Sequence, residues 1–97
     1  MYYVYILQSE KDRGYYVGVS KDVERRLKEH NAGESKSTAP YRPWALKMIE
    51  EYSDSKLAYK RERFIKAKHS RIIIEKIISG QSPDDINNLN YVISGSR

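Results

Sequence analysis

Hydrophobic and polar positions change period several times along the chain, and each change predicts an element. Tyr2-Tyr3-Val4-Tyr5-Ile6-Leu7-Gln8 is aromatic and β-branched, the composition that suits a pleated, half-buried surface, and predicts a strand. Ser9 to Gly14 is polar and ends in glycine, so it predicts a hairpin connection to a partner strand over Tyr15 to Ser20. Side chains alternate between the faces of a strand. That sorts Val4, Ile6, Tyr15, Val17 and Val19 onto one aliphatic face, and Tyr3, Tyr5, Leu7, Tyr16 and Gly18 onto the other. A loop of Ser9 to Asp12 would set Tyr5 directly opposite Tyr16 and Tyr3 opposite Gly18, a pairing that depends on register. Glycine inside a strand costs stability and often marks the close approach of another group.

The apolar spacing then lengthens. Val23 and Leu27 stand four apart behind Asp22, a fitting N-cap or first-turn acid, and Asn31-Ala32-Gly33 supplies a helix stop. Arg26 and His30 are also four apart, one above the other beside that apolar stripe. Glu34 to Pro43, punctuated by Pro40 and Pro43, predicts a loop, and Trp44 to Tyr52 a third strand with imperfect alternation. Ser53-Asp54-Ser55 offers caps for a helix over Lys56 to Lys68, whose stripe is Leu57, Ala58, Phe64, Ile65 and the stem of Arg61. Glu62 falls on the flank of that stripe. By spacing alone it is a surface carboxylate pairing with Lys66, worth a few tenths of a kcal/mol, roughly. Ile72, Ile73, Ile74, Ile77 and Ile78, closed by Ser79-Gly80, read as a helix in preference to a fourth strand, because Glu75-Lys76 interrupts the run. Ser82-Pro83-Asp84-Asp85 is a helix-start signal, Asn87, Asn88 and Asn90 limit that helix to a turn or two, and Tyr91-Val92-Ile93 is expected to dock on the body.

Composition narrows the class. Ninety-seven residues suit one domain, here residues 1–80 with an extension over 81–97 belonging to the same unit. With no cysteine there is no disulfide framework and no thiolate metal site. No apolar run reaches membrane-span length and no signal-peptide layout is visible, so a cytoplasmic location is the default expectation. The net charge of +5 favours polyanionic partners, because Lys and Arg release counterions from phosphates, although solubility alone accounts for such a balance equally well. Lys36, Ser37, Thr38 and Arg42 give the long loop donors suited to phosphate oxygens, and Tyr41 could stack on a base.

Taken one at a time, these residues have ordinary structural readings; their joint order does not. Val4-Tyr5-Ile6, then Tyr16-Val17-Gly18, then Arg26, His30 and Glu62, resembles the GIY-YIG nuclease family over most of the chain. The stretches Glu24-Arg25-Arg26-Leu27-Lys28-Glu29-His30-Asn31-x-Gly33 and Ala58-x-x-x-Glu62-x-x-Ile65-Lys66 are similar to its small single-domain members, with a further likeness to the N-terminal nuclease domain of an excinuclease. Val4 stands where the first signature carries its glycine-isoleucine part. The resemblance implies an α+β fold, a three-stranded antiparallel sheet flanked by helices, in agreement with the elements read above. It also implies a phosphodiester hydrolase using one Mg²⁺ or Mn²⁺ ion. Carried over, Glu62 would hold the metal, Arg26 would bind the scissile phosphate, and Tyr5 and Tyr16 would position or deprotonate the attacking water with His30 sharing that work. Gly18, Lys36, Thr38, Arg42 and Lys66 would contact nucleic acid. Asn87, Asn88 and Asn90 are candidates, by residue type, for the further asparagine that some members use. The expected partner is DNA, with RNA open and no membrane, bound by a monomer or weak homodimer that is selective for structure and acts in repair or recombination. The rivals are a non-catalytic nucleic-acid-binding module on the same fold and a scaffold for a protein partner.

Overall fold

The computed structural model describes residues 1–68 and 70–80. The expectations for Ser82 to Ile93 and for the asparagines Asn87, Asn88 and Asn90 lie outside the described residues. The order is β1 (Tyr2–Ser9), β2 (Tyr15–Ser20), α1 (Val23–Ala32), a 3-10 turn over Ala39–Tyr41, β3 (Trp44–Tyr52), α2 (Ser55–Lys68) and α3 (Arg71–Ser79). The strands form one antiparallel sheet in the order β2-β1-β3. This is the expected small α+β fold, with three strands and three α-helices among the described residues.

The sheet has two different faces, as the alternation requires. Val4, Ile6 and Val17 pack with Met48, Tyr52, Ala58, Ile65 and Ile77, so α2 and α3 cover the aliphatic side. Tyr5 and Leu7 pack with Val23 and Trp44, so α1 covers the aromatic side. α1 starts on Asp22, whose side chain accepts from the Arg25 amide, and ends at Gly33 in the left-handed region. α3 is the helix expected from the isoleucine run, capped by Ser70 and closed by Gly80.

The hairpin register differs from expectation. Tyr5 pairs with Gly18, Leu7 with Tyr16 and Tyr3 with Ser20, a slide of two residues. The connection is longer than Ser9 to Asp12. Ser9 N–H donates to the Gly14 carbonyl at 2.8 Å, and the Ser9 hydroxyl accepts from the amides of Lys11 and Asp12. Those bonds fold residues 9–14 into the turn, with Arg13 at a positive φ of 66°. A shift of two preserves the parity of the pleat, so every side chain keeps its expected face.

Two further departures have identifiable causes. β3 alternates imperfectly because the register jumps between Ile6/Met48 and Leu7/Leu46, leaving Lys47 bulged. The bulge reverses the facing of the strand, so Trp44 lies on the aromatic side while Met48 and Tyr52 lie on the aliphatic one. On α2, Leu57 is exposed and Arg61 takes the core position instead. Arg61 is 1% exposed and forms a bidentate ion pair with Glu50, also 1% exposed, at 2.8 and 2.9 Å. Tyr52 O–H donates to the same carboxylate at 2.8 Å.

A buried charge left alone is far costlier than a buried pair, because its partner no longer offsets desolvation. Glu50→Ala is therefore expected to lower the unfolding free energy by about 3–5 kcal/mol in chemical denaturation. The double variant Glu50→Leu/Arg61→Met should recover much of that loss. Equal losses in the single and double variants would show that packing, not charge, holds α2 on the sheet.

Candidate active site

On the aromatic face, β1 and α1 bring two buried polar side chains together. Tyr5 is 1% exposed because it sits mid-sheet in the central strand under α1. His30, in the last turn of α1, is equally buried, and its Nε2 lies 3.3 Å from the Tyr5 hydroxyl. On the other side of the ring, Nδ1 lies 3.0 Å from Thr38 Oγ1, and the Thr38 hydroxyl is within 3.4 Å of the Ser35 carbonyl. A carbonyl only accepts, so the Thr38 hydroxyl that donates to it accepts from the histidine. In the tautomer that matches this arrangement, Nδ1 carries the proton and Nε2 turns its lone pair toward Tyr5. Sequence reasoning placed Thr38 among the nucleic-acid contacts; it is buried and turned inward onto His30.

Tyr16 completes the aromatic cluster. Its ring centroid is 6.3 Å from that of Tyr5 and 4.8 Å from that of His30, with Trp44 at 6.2 Å. Gly18 makes this packing possible. A Cβ built there would come within 2.6 Å of the Tyr5 hydroxyl oxygen, closer than a Cβ approaches, and 3.1 Å from Tyr16 Cε2, a tight contact. The close approach expected at that glycine is therefore the Tyr5 ring itself.

The electrostatics follow from burial. Desolvation, reinforced by neighbouring Tyr16, raises the pKa of Tyr5 above the usual phenol value, against the opposing pull of Arg26. Burial, with Arg26 as the next cause, lowers His30 below the usual imidazole value, only partly offset by Glu29. The site at neutral pH thus holds a protonated phenol beside a neutral imidazole. Arg26 is one turn before His30, with about a third of its side chain exposed; it is ion-paired to Glu29, and that bond is the main cause raising its pKa.

Glu62 lies on α2, in the layer that covers the other face of the sheet. Its side chain is 17% exposed, its carboxylate is 3.2 Å from Lys66 Nζ, and its charge acts on Tyr5 to raise that pKa. The pairing expected from helical spacing is present. Among the described residues no group of three His, Asp or Glu side chains could cage a metal. Lys36 and Arg42 are exposed on the long loop, the Arg42 guanidinium lying against Gly33. Sequence reasoning missed Asn31, whose side chain accepts from Trp44 N–H at 2.6 Å and donates to the Trp44 carbonyl at 3.1 Å. Trp44 Nε1–H donates in turn to the Thr38 carbonyl at 2.9 Å, so this clamp holds the loop that supplies Thr38. An asparagine just before a helix-stop glycine carries no local signal of such a distant partner.

Known proteins resemble this chain in sequence and in fold. The family model described as the GIY-YIG catalytic domain matches residues 1–77. A UPF0213 protein of Halobacterium salinarum is 39% identical over 67 residues, covering 68% of this chain and 86% of that protein. A UPF0213 protein of Haloquadratum walsbyi is 42% identical over 67 residues, covering 68% and 74%. The solution NMR structure of a UPF0213 protein from Bacillus halodurans superposes with a TM-score of 0.52 at 33% identity, covering 81% of this chain and 84% of that one. No helix among the described residues is long and apolar enough to cross a membrane. With its matching signature, its fold and these relatives, the chain belongs to the GIY-YIG catalytic domain family.

Proposed function

We propose that the chain is a divalent-metal-dependent endonuclease that hydrolyses phosphodiester bonds in DNA. The observation that supports this best is the cluster of Tyr5, Tyr16 and His30, with Arg26 one turn before His30 and acting on Tyr5; Glu62 on α2 joins the set through its place in the family signature. Packing alone does not call for a buried phenol bonded to a neutral imidazole beside a guanidinium.

Glu62 suits Mg²⁺ or Mn²⁺. Magnesium gives up its waters reluctantly and is commonly held by one or two carboxylates plus substrate phosphate, and the Lys66 ammonium that now pairs with Glu62 is an exposed, displaceable partner. Bound there, the ion would offset charge on the phosphate and the leaving oxygen. Arg26 binds the non-bridging oxygens; Glu29 occupies one of its five donors and leaves others for the substrate. The buried Tyr5–His30 pair is the proton acceptor behind the attacking water, with His30 Nε2 taking up the proton. Thr38 keeps His30 in the tautomer that can accept it. Tyr16 stacks beside this pair and positions the water. Selection by nucleic-acid structure, in repair or recombination, is part of the same proposal.

With Mg²⁺ or Mn²⁺, the purified protein is expected to cut DNA. Glu62→Ala and Arg26→Ala should each lower the rate by about 100-fold or more with circular dichroism unchanged, and Arg26→Lys should not restore it because the fork geometry is lost. Metal-independent binding with no cleavage, insensitive to Glu62→Ala, would instead identify a non-catalytic binding module.

The pH dependence follows from the His30 shift. A base is active when deprotonated, so the acid limb of kcat/KM should fall below the usual imidazole value of 6.5. His30→Gln should lower the rate and abolish that limb; a limb that survives in the variant assigns the titration elsewhere.

Gly18→Ala tests the geometry itself. Its methyl group displaces the Tyr5 hydroxyl, and cleavage is expected to fall about 100-fold while thermal unfolding remains cooperative. Full activity in this variant would remove Tyr5 from the mechanism.

A further inference from the structure

An open cleft of about 330 Å³ borders Tyr16 between the hairpin loop and the long loop. Its walls include four aromatic residues, Tyr15, Tyr16, Tyr41 and Trp44, and its other lining residues are Asp12, Gly14, Ser37 and Thr38. The two loops that frame it are tied together. Lys11 Nζ donates to the Pro40 carbonyl at 3.1 Å, Glu10 N–H to the Pro43 carbonyl at 2.9 Å, and the Ser9 hydroxyl to the Tyr41 carbonyl at 2.5 Å. The cleft is therefore preformed, which lowers the entropy lost on binding. Asp12 is fixed in turn, because Oδ1 accepts from Gly14 N–H at 2.9 Å. A carboxylate has about four lone-pair sites, so capacity remains for a ligand donor.

Aromatic walls with a carboxylate exclude a phosphate and suit a flat, π-faced group that presents N–H donors. Tyr16 belongs both to this cleft and to the Tyr5–His30 cluster. We propose that the cleft is a subsite for a nucleobase of the substrate, next to the phosphate being cut, and that it favours bases with an exocyclic amino group. The position beside the scissile phosphate rests on the nuclease reading above; the cleft's chemistry does not. The base stacks among Tyr16, Tyr41 and Trp44, and its amino group donates to Asp12, as cytosine N4 does to acidic side chains. Thymine and uracil present a single imino N–H flanked by two carbonyl oxygens, which a carboxylate repels.

Trp44 is the chain's one tryptophan and lines the cleft, so its fluorescence reports occupancy. The experiment titrates the protein, in EDTA so that no cleavage occurs, with pentathymidylate and with the same oligonucleotide carrying adenine, cytosine or guanine at its centre. The amino-bearing oligonucleotides are expected to quench Trp44 with about tenfold lower Kd than pentathymidylate. Asp12→Asn retains the acceptor for Gly14 and should compress that difference to about twofold, since an amide can also donate to a carbonyl. Tyr41→Ala removes an exposed ring and should weaken all four oligonucleotides by about tenfold while keeping their order. Equal binding of the four, tightest binding of pentathymidylate, an order unaffected by Asp12→Asn, or no quenching at all would each overturn the subsite. Base discrimination without metal-dependent cleavage would refute the nuclease reading and leave the subsite standing. Cleavage without discrimination would do the reverse.

Discussion

The bond between the Tyr5 hydroxyl and His30 is the contact on which the candidate site depends. Both groups are nearly inaccessible to water, and buried polar groups must find partners inside the protein. Each therefore fixes the other, and Thr38 fixes the far side of the imidazole. That short chain ties the central strand, the end of α1 and the long loop together. It holds only because Gly18, directly opposite Tyr5, has no side chain to fill the space.

A second buried contact sets the other layer. Glu50 on β3 grips Arg61 on α2 through two hydrogen bonds, and Tyr52 braces the carboxylate. With Arg61 turned into the core, the next residue along the helix is rotated by about 100° toward its flank. That residue is Glu62, whose charge acts on Tyr5. A structural ion pair thus orients the acidic group with the most direct chemical interest. The Lys47 bulge plays a comparable part in β3, because it turns Trp44 onto the aromatic face, where Asn31 and Thr38 hold it.

The two proton-bearing groups show how burial divides roles between neighbours. A phenol pushed up and an imidazole pushed down stay neutral together at pH 7, so the pair holds a transferable proton without a buried charge. Arg26, partly exposed and anchored to Glu29, supplies positive charge at the rim instead. The cleft between the hairpin loop and the long loop adjoins the same cluster through Tyr16, which lines both.

Local sequence was enough to determine the elements. Aromatic and β-branched runs, the Asp22 cap, the Gly33 stop and the isoleucine spacing each act within a few residues, and each is present in the fold. The faces of β1 and β2 were legible too, because parity survives a slide of two residues. The order of Tyr5, Tyr16, Arg26, His30 and Glu62 carried the family. Tertiary structure alone decided the hairpin register, which rests on how Ser9 folds the turn, and the fate of Arg61, whose burial depends on a carboxylate eleven residues away in another element. It also decided that Thr38 faces a histidine rather than solvent. A polar side chain's role is set by what lies across from it after folding, and no periodicity along the chain records that distance.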